Sequence, residues 1–558
     1  MLISTFAEMI SLGAVLPFFG VLAIPEEVFI SNYIQPLIKI LNIQTPDQLL
    51  LPITIIFISL ATLSGLIRVF LLFITTRLTY ATGVDLSLSI YKRTLHQPYS
   101  VHISRNNSEV IDGMIKKTDS LTSGILLASV TSVSSSIMLL GLVFTLLYID
   151  PVITSLSFIG FAGAYLVVLK ITNKRLARNG HLIAKESIQV IKNLQEGLGG
   201  IRDILINKTQ NLYSEFYFRS DKAVRYAVGN NAFLGGSPRF VMESIAIVLL
   251  AFLALSLTKQ NGGISGAIPL LGTIVLGAQR LLPVLQQIYM GITSLRSTRS
   301  SLEDVLELLD QPLPSKRITN KLSTFSFQRD IKLEKVDFQY PLSNSFTLKE
   351  IDIEILKGQC VGVTGTTGSG KSTLIDIFMG LLEPSSGNLS IDGQIINKDN
   401  VDLWHTHISH VPQQIYLADI TLKENIAFGL NHNDIDEEKV IISAKKAQIH
   451  DFVDSLPLKY ETLAGEVGSR LSGGQIQRIG IARALYKEAN VIVFDEATSA
   501  LDEKTEKAVM DSIDTLGENL TTIIIAHRLS TLKKCNNVFV LDKGKIIKSG
   551  PYDEVVKL

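Results

Sequence analysis

Only two cysteines occur in the 558 residues, Cys360 and Cys535, and they fall in no metal-ligand or thiol-redox spacing. That excludes a disulfide framework, a thiolate zinc site and a CxxC oxidoreductase; the two are expected to be inert thiols in a reducing compartment. Neither sign of charge is in excess, since 52 Lys and Arg balance 52 Asp and Glu. A globally basic nucleic-acid binder is thereby excluded. Charged residues are scarce, 19% against 46% hydrophobic, with a mean hydropathy of +0.31. This is too apolar for a soluble enzyme and too polar for a pure membrane channel, while the length admits roughly two to four domains. The start of the chain lacks a basic n-region and a cleavage site, so its apolar run reads as a membrane helix and not as a signal peptide.

The apolar mass lies in the first 300 or so residues, in six runs long enough to cross about 30 Å of hydrocarbon. They span roughly Leu2 to Ala23, Leu51 to Thr76, Leu121 to Ile149, Pro151 to Ile171, Phe240 to Leu257 and Ile264 to Ile292. Cations cluster between the second and third runs (Arg77, Lys92, Arg93, Arg105, Lys116, Lys117) and between the fourth and fifth (Lys174, Arg175, Arg178, Lys185, Lys192, Arg202). The alternate loops carry little beyond Lys39 and Lys259. The asymmetry puts the cation-rich stretches, and both termini, in the cytoplasm. Those stretches are too long for turns and helically patterned, so the helices are expected to continue beyond the bilayer. Their tips, near Tyr99 to Asn107 and Gly199 to Lys208, are candidates for touching a cytoplasmic partner domain. In the first outer loop Ile30, Ile34, Leu37, Ile38 and Leu41 recur at helical spacing. This is either a short amphipathic helix at the outer interface or an ordinary packed loop helix.

A transmembrane domain over 1–293 is therefore expected, then a linker over 294–330 broken by QPLPSK, then a soluble α/β domain over 331–558. In that last part GTTGSGKST follows the apolar strand QCVGVTG and precedes the helical run LIDIFMGLL, the context a phosphate-binding loop requires. Backbone N–H groups of Gly365, Thr366, Thr367, Gly368, Ser369 and Gly370 are placed to wrap phosphates; Lys371 reaches the β and γ phosphates, and Ser372, followed by Thr373, binds Mg²⁺. VIVFDE supplies a buried strand ending in two carboxylates, Asp495 for the Mg²⁺ shell and Glu496 for polarising an attacking water. Ser472, Gly473 and Gly474 form another backbone-donor loop at a helix start, a second anion site.

Around these, LSGGQ at Leu471 to Gln475 resembles the signature of ATP-binding-cassette proteins, and further motifs follow in that family's order. The resemblance implies roles for Tyr340 (adenine stacking), Gln413 (the Q-loop residue on Mg²⁺), Glu466 (the exporter X-loop acid), Asp502 in SALD from Ser499 (the D-loop) and His527 (the switch histidine on the γ-phosphate). Singly, Tyr340 reads as a strand aromatic, Gln413 as a loop amide and His527 as a core histidine; their order carries the resemblance. It implies an ATPase using ATP and Mg²⁺, with each signature loop closing on ATP held by the opposite subunit. One cassette per chain thus implies a homodimer with two equivalent sites.

Six spans ahead of one cassette resemble the type IV exporter fold of half-transporters. MISLGAVLPFF, NNSEVIDGM, SPRFVMES and AQRLLPVLQQI resemble segments of flippases of lipid-linked oligosaccharides, the PglK-like group. Arg68, Arg239 and Arg280 lie within or at the rim of apolar spans, where an unpaired cation is costly and marks a functional site. Guanidinium forks suit a pyrophosphate, although Arg239 could pair with Glu243 and Arg68 could snorkel to an interface. The expected activity is ATP-driven flipping of a lipid-linked glycan. The alternatives are a multidrug, lipid A or peptide exporter, and no Cys/His peptidase-like domain precedes the spans to favour peptides. The spans argue against a non-transport cassette ATPase, and Glu496 with His527 against an ATP-gated channel. Related exporters begin with a cytoplasmic interfacial helix, whereas Met1 lies almost inside the first run, so that lead-in is expected to be missing or to lie upstream.

Overall fold

Each of the six apolar runs is helical, and four lie in helices far longer than a bilayer needs: Leu50–Leu95, Pro151–Gly199, Gln210–Leu257 and Gly263–Leu309. At 1.5 Å per residue each is about 70 Å long, more than twice the hydrocarbon thickness. The computed structural model describes all residues except 24, 32–33, 42, 150, 258–262, 314–325, 342, 344, 466–467, 498–500, 515–519, 527 and 557–558. It falls into two units, Met1–Gln97 with Val101–Ser315, and Lys316–Leu558 with Pro98–Ser100.

In the first unit, Leu2–Leu22, Pro46–Leu95 and Asn107–Tyr148 are long and apolar enough to cross a membrane by length and composition among the described residues. The first apolar run is split at Ala14 into helices Leu2–Gly13 and Val15–Ala23. The candidate span Asn107–Tyr148, which includes most of the third run, contains two π-helical stretches, Gly113–Lys117 and Thr122–Leu127. The expected tips carry short helices, Tyr99–Ser104 and Ile201–Ile206. The outer-loop segment is two short helices, Pro25–Ile30 and Gln35–Leu41, not one; Ile34 and Ile38 pack with Val21, Leu49 and Ile53, whereas Ile30 and Ile40 are exposed. The last helix runs to Leu309, so residues 294–309, read as linker, are helical. Their SLEDVLELL continues the helical pattern without a breaker, which comes only with Pro312.

Close approach and backbone satisfaction decide the packing of the long helices. A Cβ on Gly180 would stand 2.3 Å from the Ser297 carbonyl oxygen, so only glycine lets these two backbones meet. Pro238 sits inside Gln210–Leu257 and removes one i→i−4 hydrogen bond. The Leu234 carbonyl it leaves without that donor accepts instead from the Tyr289 hydroxyl at 2.8 Å, and the adjacent Gly235 carbonyl accepts from Gln286 Nε2 at 2.8 Å. Tyr289 is 1% exposed. In a medium without water such replacement donors are what make a helix-interior proline tolerable.

The second unit contains two sheets. Strands β1 (Asp330–Phe338), β2 (Leu348–Leu356), β4 (Ser386–Ile391) and β5 (Gln394–Ile395) form one in the order β2-β1-β4-β5. Strands β3 (Cys360–Gly365), β6 (Ile408–Val411), β7 (Val491–Asp495), β8 (Thr521–Ile525), β9 (Asn537–Asp542) and β10 (Lys545–Gly550) form the other, ordered β10-β9-β3-β8-β7-β6. The second is parallel except at β10, and β7 and β8 are apolar runs buried along almost their whole length. Parallel strands end on the same edge, so β3, β6 and β7 deliver their following loops to one side.

The two cysteines, distant in sequence, meet here. Cys360 Sγ lies 3.0 Å from Cys535 Sγ. The expectation of inert thiols was made without this contact in view, because parallel pairing of β3 with β9 is a long-range event.

Candidate functional site

β3 ends at Gly365, and the loop after it turns directly into the helix Lys371–Phe378. Gly365 has φ +152° and Gly370 φ +105°; a Cβ on Gly365 would fall 2.0 Å from the Leu541 carbonyl oxygen. Gly365→Ala is therefore expected to destabilise the ATP-binding domain by at least about 1–3 kcal/mol and to abolish ATP-induced stabilisation in a thermal melt. Thr366, Thr367 and Gly368 are exposed, and a Cβ on Gly368 would meet nothing within 4 Å, leaving the crest of the loop open. Lys371 is held across the loop by the carbonyls of Gly365 (2.9 Å) and Thr366 (3.0 Å). Ser369 Oγ is buried without a hydrogen-bond partner among the described residues. Ser372 is exposed at the first turn, and Thr373 Oγ1 meets the Tyr340 hydroxyl at 3.0 Å. Tyr340 also packs edge-on against Phe338, with ring centroids 4.9 Å apart.

Asp495 ends β7 level, across β8, with Val363 near the end of β3, and Glu496 follows it on the same edge of the sheet. Glu496 takes φ +49°, and its N–H donates to the Ile525 carbonyl at 3.1 Å. Its carboxylate accepts from Gln413 Nε2 at 2.7 Å, joining the loop after β6 to that after β7. Burial and the Glu496 charge push the Asp495 carboxyl up, with Lys371 opposing. Asp376, on the phosphate-loop helix, is pushed up to about 6 by burial and by Asp495. Asp495 thus interacts with Asp376 on one side and Glu496 on the other, with Lys371 offsetting part of the charge; such oxygen donors beside the exposed Ser372 hydroxyl suit a hard divalent cation, although among the described residues no three acidic side chains converge as a ligand set of their own. Asp376 went unnoticed in the sequence because nothing local in LIDIFMG distinguishes it from a helix-surface acid.

A second cluster holds the signature. Helix Gly473–Tyr486 begins with a capping box: Ser472 Oγ accepts from the Gln475 N–H at 3.4 Å, and Gln475 Oε1 accepts from the Ser472 N–H at 2.8 Å. Ser472 and Gly473 are exposed, while Leu471 packs partly into the core. Asp502 accepts from the Thr505 N–H (3.0 Å) and hydroxyl (2.7 Å), bonds that hold its carboxyl below the usual range. His527, Glu466 and Ser499 lie outside the described residues.

In the membrane unit the three arginines separate. Arg68 Nη1 is 3.5 Å from Glu8 Oε1, and Arg280 Nη1 bonds to the same oxygen. Ser64 Oγ donates to the other oxygen of Glu8. Glu8 is 1% exposed, Arg68 43% and Arg280 39%. Arg239 instead pairs with Glu243 one turn along its own helix, Nε to Oε1 2.7 Å. Arg68 also lines a cavity of about 640 Å³ with Ser4, Thr5, Ser135, Gln287 and Ser294. Glu8 was missed, although a carboxylate inside the first apolar run carried the same signal that singled out the arginines.

Residues 348–499 match the family description "ABC transporter", and residues 14–265 match "ABC transporter transmembrane region". The ATP-dependent lipid A-core flippase of Francisella novicida is 30% identical over 478 residues, covering 84% of this chain and 79% of its own length. That of Saccharophagus degradans is 30% identical over 486 residues, covering 85% and 79%. A solved bacterial Atm1-family ABC exporter with ATP bound superposes with a TM-score of 0.79 at 22% identity, covering 100% of this chain and 96% of the other, which shows the fold.

Proposed function

This chain belongs to the ABC transporter family, and on that premise we propose that its ATPase flips a lipid-linked oligosaccharide, or a related polyprenyl-pyrophosphate glycan, across the cytoplasmic membrane. The observation that supports this substrate is the Arg68–Glu8–Arg280 cluster. Two guanidiniums share one carboxylate, which leaves one positive charge among apolar helices beside the 640 Å³ cavity. A net cation at the wall of a cavity complements a phosphate or pyrophosphate head group. Arg239, bonded to Glu243, is not part of this cluster, and the site rests on the other two arginines.

ATP is taken by the loop Gly365–Gly370 with Lys371, and Tyr340 stands beside it for the base. Ser372, Asp495 and Gln413 would hold Mg²⁺, which when bound neutralises phosphate charge. Gln413 orients the Glu496 carboxylate, and Glu496 accepts the proton of the attacking water. A second copy of the chain supplies the signature loop Leu471–Gln475 across the interface, since one chain carries a single loop of each kind. The helical extensions carry the closing motion into the spans, and both termini face the cytoplasm, in line with the Lys and Arg bias of the loops.

The names of the relatives favour a second reading, a lipid A-core substrate. The deciding experiment is ATP turnover in nanodiscs containing polyprenyl-pyrophosphate glycan, lipid A or apolar drugs. Stimulation by the first is expected, and stimulation by lipid A alone would replace the proposed substrate. Arg68→Ala with Arg280→Ala is expected to remove glycan-lipid stimulation, whereas Arg239→Ala retains it. Intact flipping after replacement of all three arginines would overturn the site.

A further inference from the structure

We infer that Cys360 and Cys535 form an oxidisable dithiol, a modification site for hydroperoxides whose disulfide slows ATP turnover. The two sulfurs are 3.0 Å apart, and a disulfide bond measures about 2.05 Å, so about 1 Å of closure forms it. The backbone around them is already in register. The Cys360 N–H donates to Asn536 Oδ1 at 2.8 Å and its carbonyl accepts from the Asn536 N–H at 2.8 Å. Cys360 is thereby pinned beside the residue that follows Cys535.

Exposure orders the steps, because Cys360 is partly exposed while Cys535 is buried, 6% accessible. The Cys360 thiolate attacks an oxygen of a hydroperoxide ROOH; the O–O bond breaks, and ROH leaves carrying the thiol proton. Cys360 is then a sulfenic acid. The Cys535 thiolate attacks that sulfur, the S–OH bond breaks, and hydroxide departs with the Cys535 proton as water. Two thiols and ROOH become one disulfide, ROH and H₂O, the sulfurs giving two electrons to the peroxide.

Turnover responds because the pair sits at the start of β3, the strand whose other end carries the phosphate loop. Cys535 follows the 3₁₀ helix Leu529–Lys534, within the stretch that joins β8 to β9. Leu532 of that helix is fully buried, and a Cβ on Gly362 of β3 would stand 2.9 Å from Leu532 Cδ2. Packing this tight has no slack to absorb a shift of Cys535. The displacement passes to β3, whose far end is the loop that holds ATP, and a misplacement of about 1 Å in such a site can cost on the order of 10²-fold.

The test uses the full chain in nanodiscs, treated with hydrogen peroxide, quenched, denatured and labelled with N-ethylmaleimide before mass measurement. Before peroxide the chain is expected to take two maleimides; after peroxide it takes none, stays monomeric on a non-reducing gel, and regains both with dithiothreitol. ATP turnover falls severalfold with peroxide and returns with dithiothreitol. In Cys535→Ser and Cys360→Ser chains, whatever turnover each shows beforehand survives peroxide followed by dithiothreitol and is not lowered severalfold by peroxide. Persistent double labelling, a crosslink between chains, a disulfide that leaves turnover unchanged, or equal inhibition of the serine variants would each overturn the inference.

Discussion

Glu496→Gln is expected to lower ATP turnover by about 10²–10⁴-fold, the range of a lost general base, while ATP binding persists. Glu496 is held from both sides: its N–H is tied to Ile525 of the neighbouring strand, and its carboxylate accepts from Gln413. A glutamine keeps the volume and an acceptor oxygen for Gln413 but cannot take a proton from water. Asp495 and the phosphate loop remain in place, so nucleotide affinity measured by equilibrium binding should change little. Phosphate release and nucleotide binding measured on the same preparation separate the two effects. Normal phosphate release from the variant would remove Glu496 from the catalytic assignment and leave the crowded Asp376–Asp495 pair as the acids to test.

Glu8→Ala is expected to be the most damaging single change in the membrane domain. Removing the carboxylate leaves Arg68 and Arg280 facing one another with no counter-ion, and Ser64 loses its acceptor. Breaking a buried ion pair by deleting one partner costs roughly 3–5 kcal/mol. The loss here should fall toward the lower end, because both arginines are more than a third exposed and relieve part of their repulsion through solvent. A detergent-solubilised melt should therefore shift down clearly. Glu8→Gln keeps the shape and one acceptor oxygen for the arginines but loses the charge and puts a donor where Ser64 now donates, so it should fall between the alanine variant and the parent. Equal melting of all three proteins would mean that Glu8 does not anchor the arginines.

The ATPase part of this chain was readable because its chemistry is local. GTTGSGKST places six consecutive backbone amides, a lysine and a hydroxyl within a single strand–loop–helix turn, so the order of residues is nearly the geometry itself. LSGGQ is similar, since Ser472 and Gln475 cap their own helix. The long helical extensions were also legible, because helical patterning continued past the apolar runs; even Gly235-Gly236-Ser237-Pro238, ahead of the fifth run, does not break its helix. The end of the sixth helix was less so: polarity over 294–309 read as linker, although a solvated helix is polar too.

Sequence alone thus determined the classes of the two domains, the phosphate loop and its carboxylate pair, and the presence of charge inside the membrane segments. Each depends on neighbours a few residues apart, where covalent geometry limits the outcomes. Only the tertiary structure decided which groups meet across the chain. Glu8 meets Arg280 from 272 positions away, the Tyr289 hydroxyl takes the carbonyl that Pro238 releases, and Cys360 meets Cys535 from 175 positions away. Those pairings follow from strand order and helix packing, which no local pattern of residues specifies. The two scarce cysteines, unremarkable in sequence, became neighbours because β3 and β9 pair in parallel.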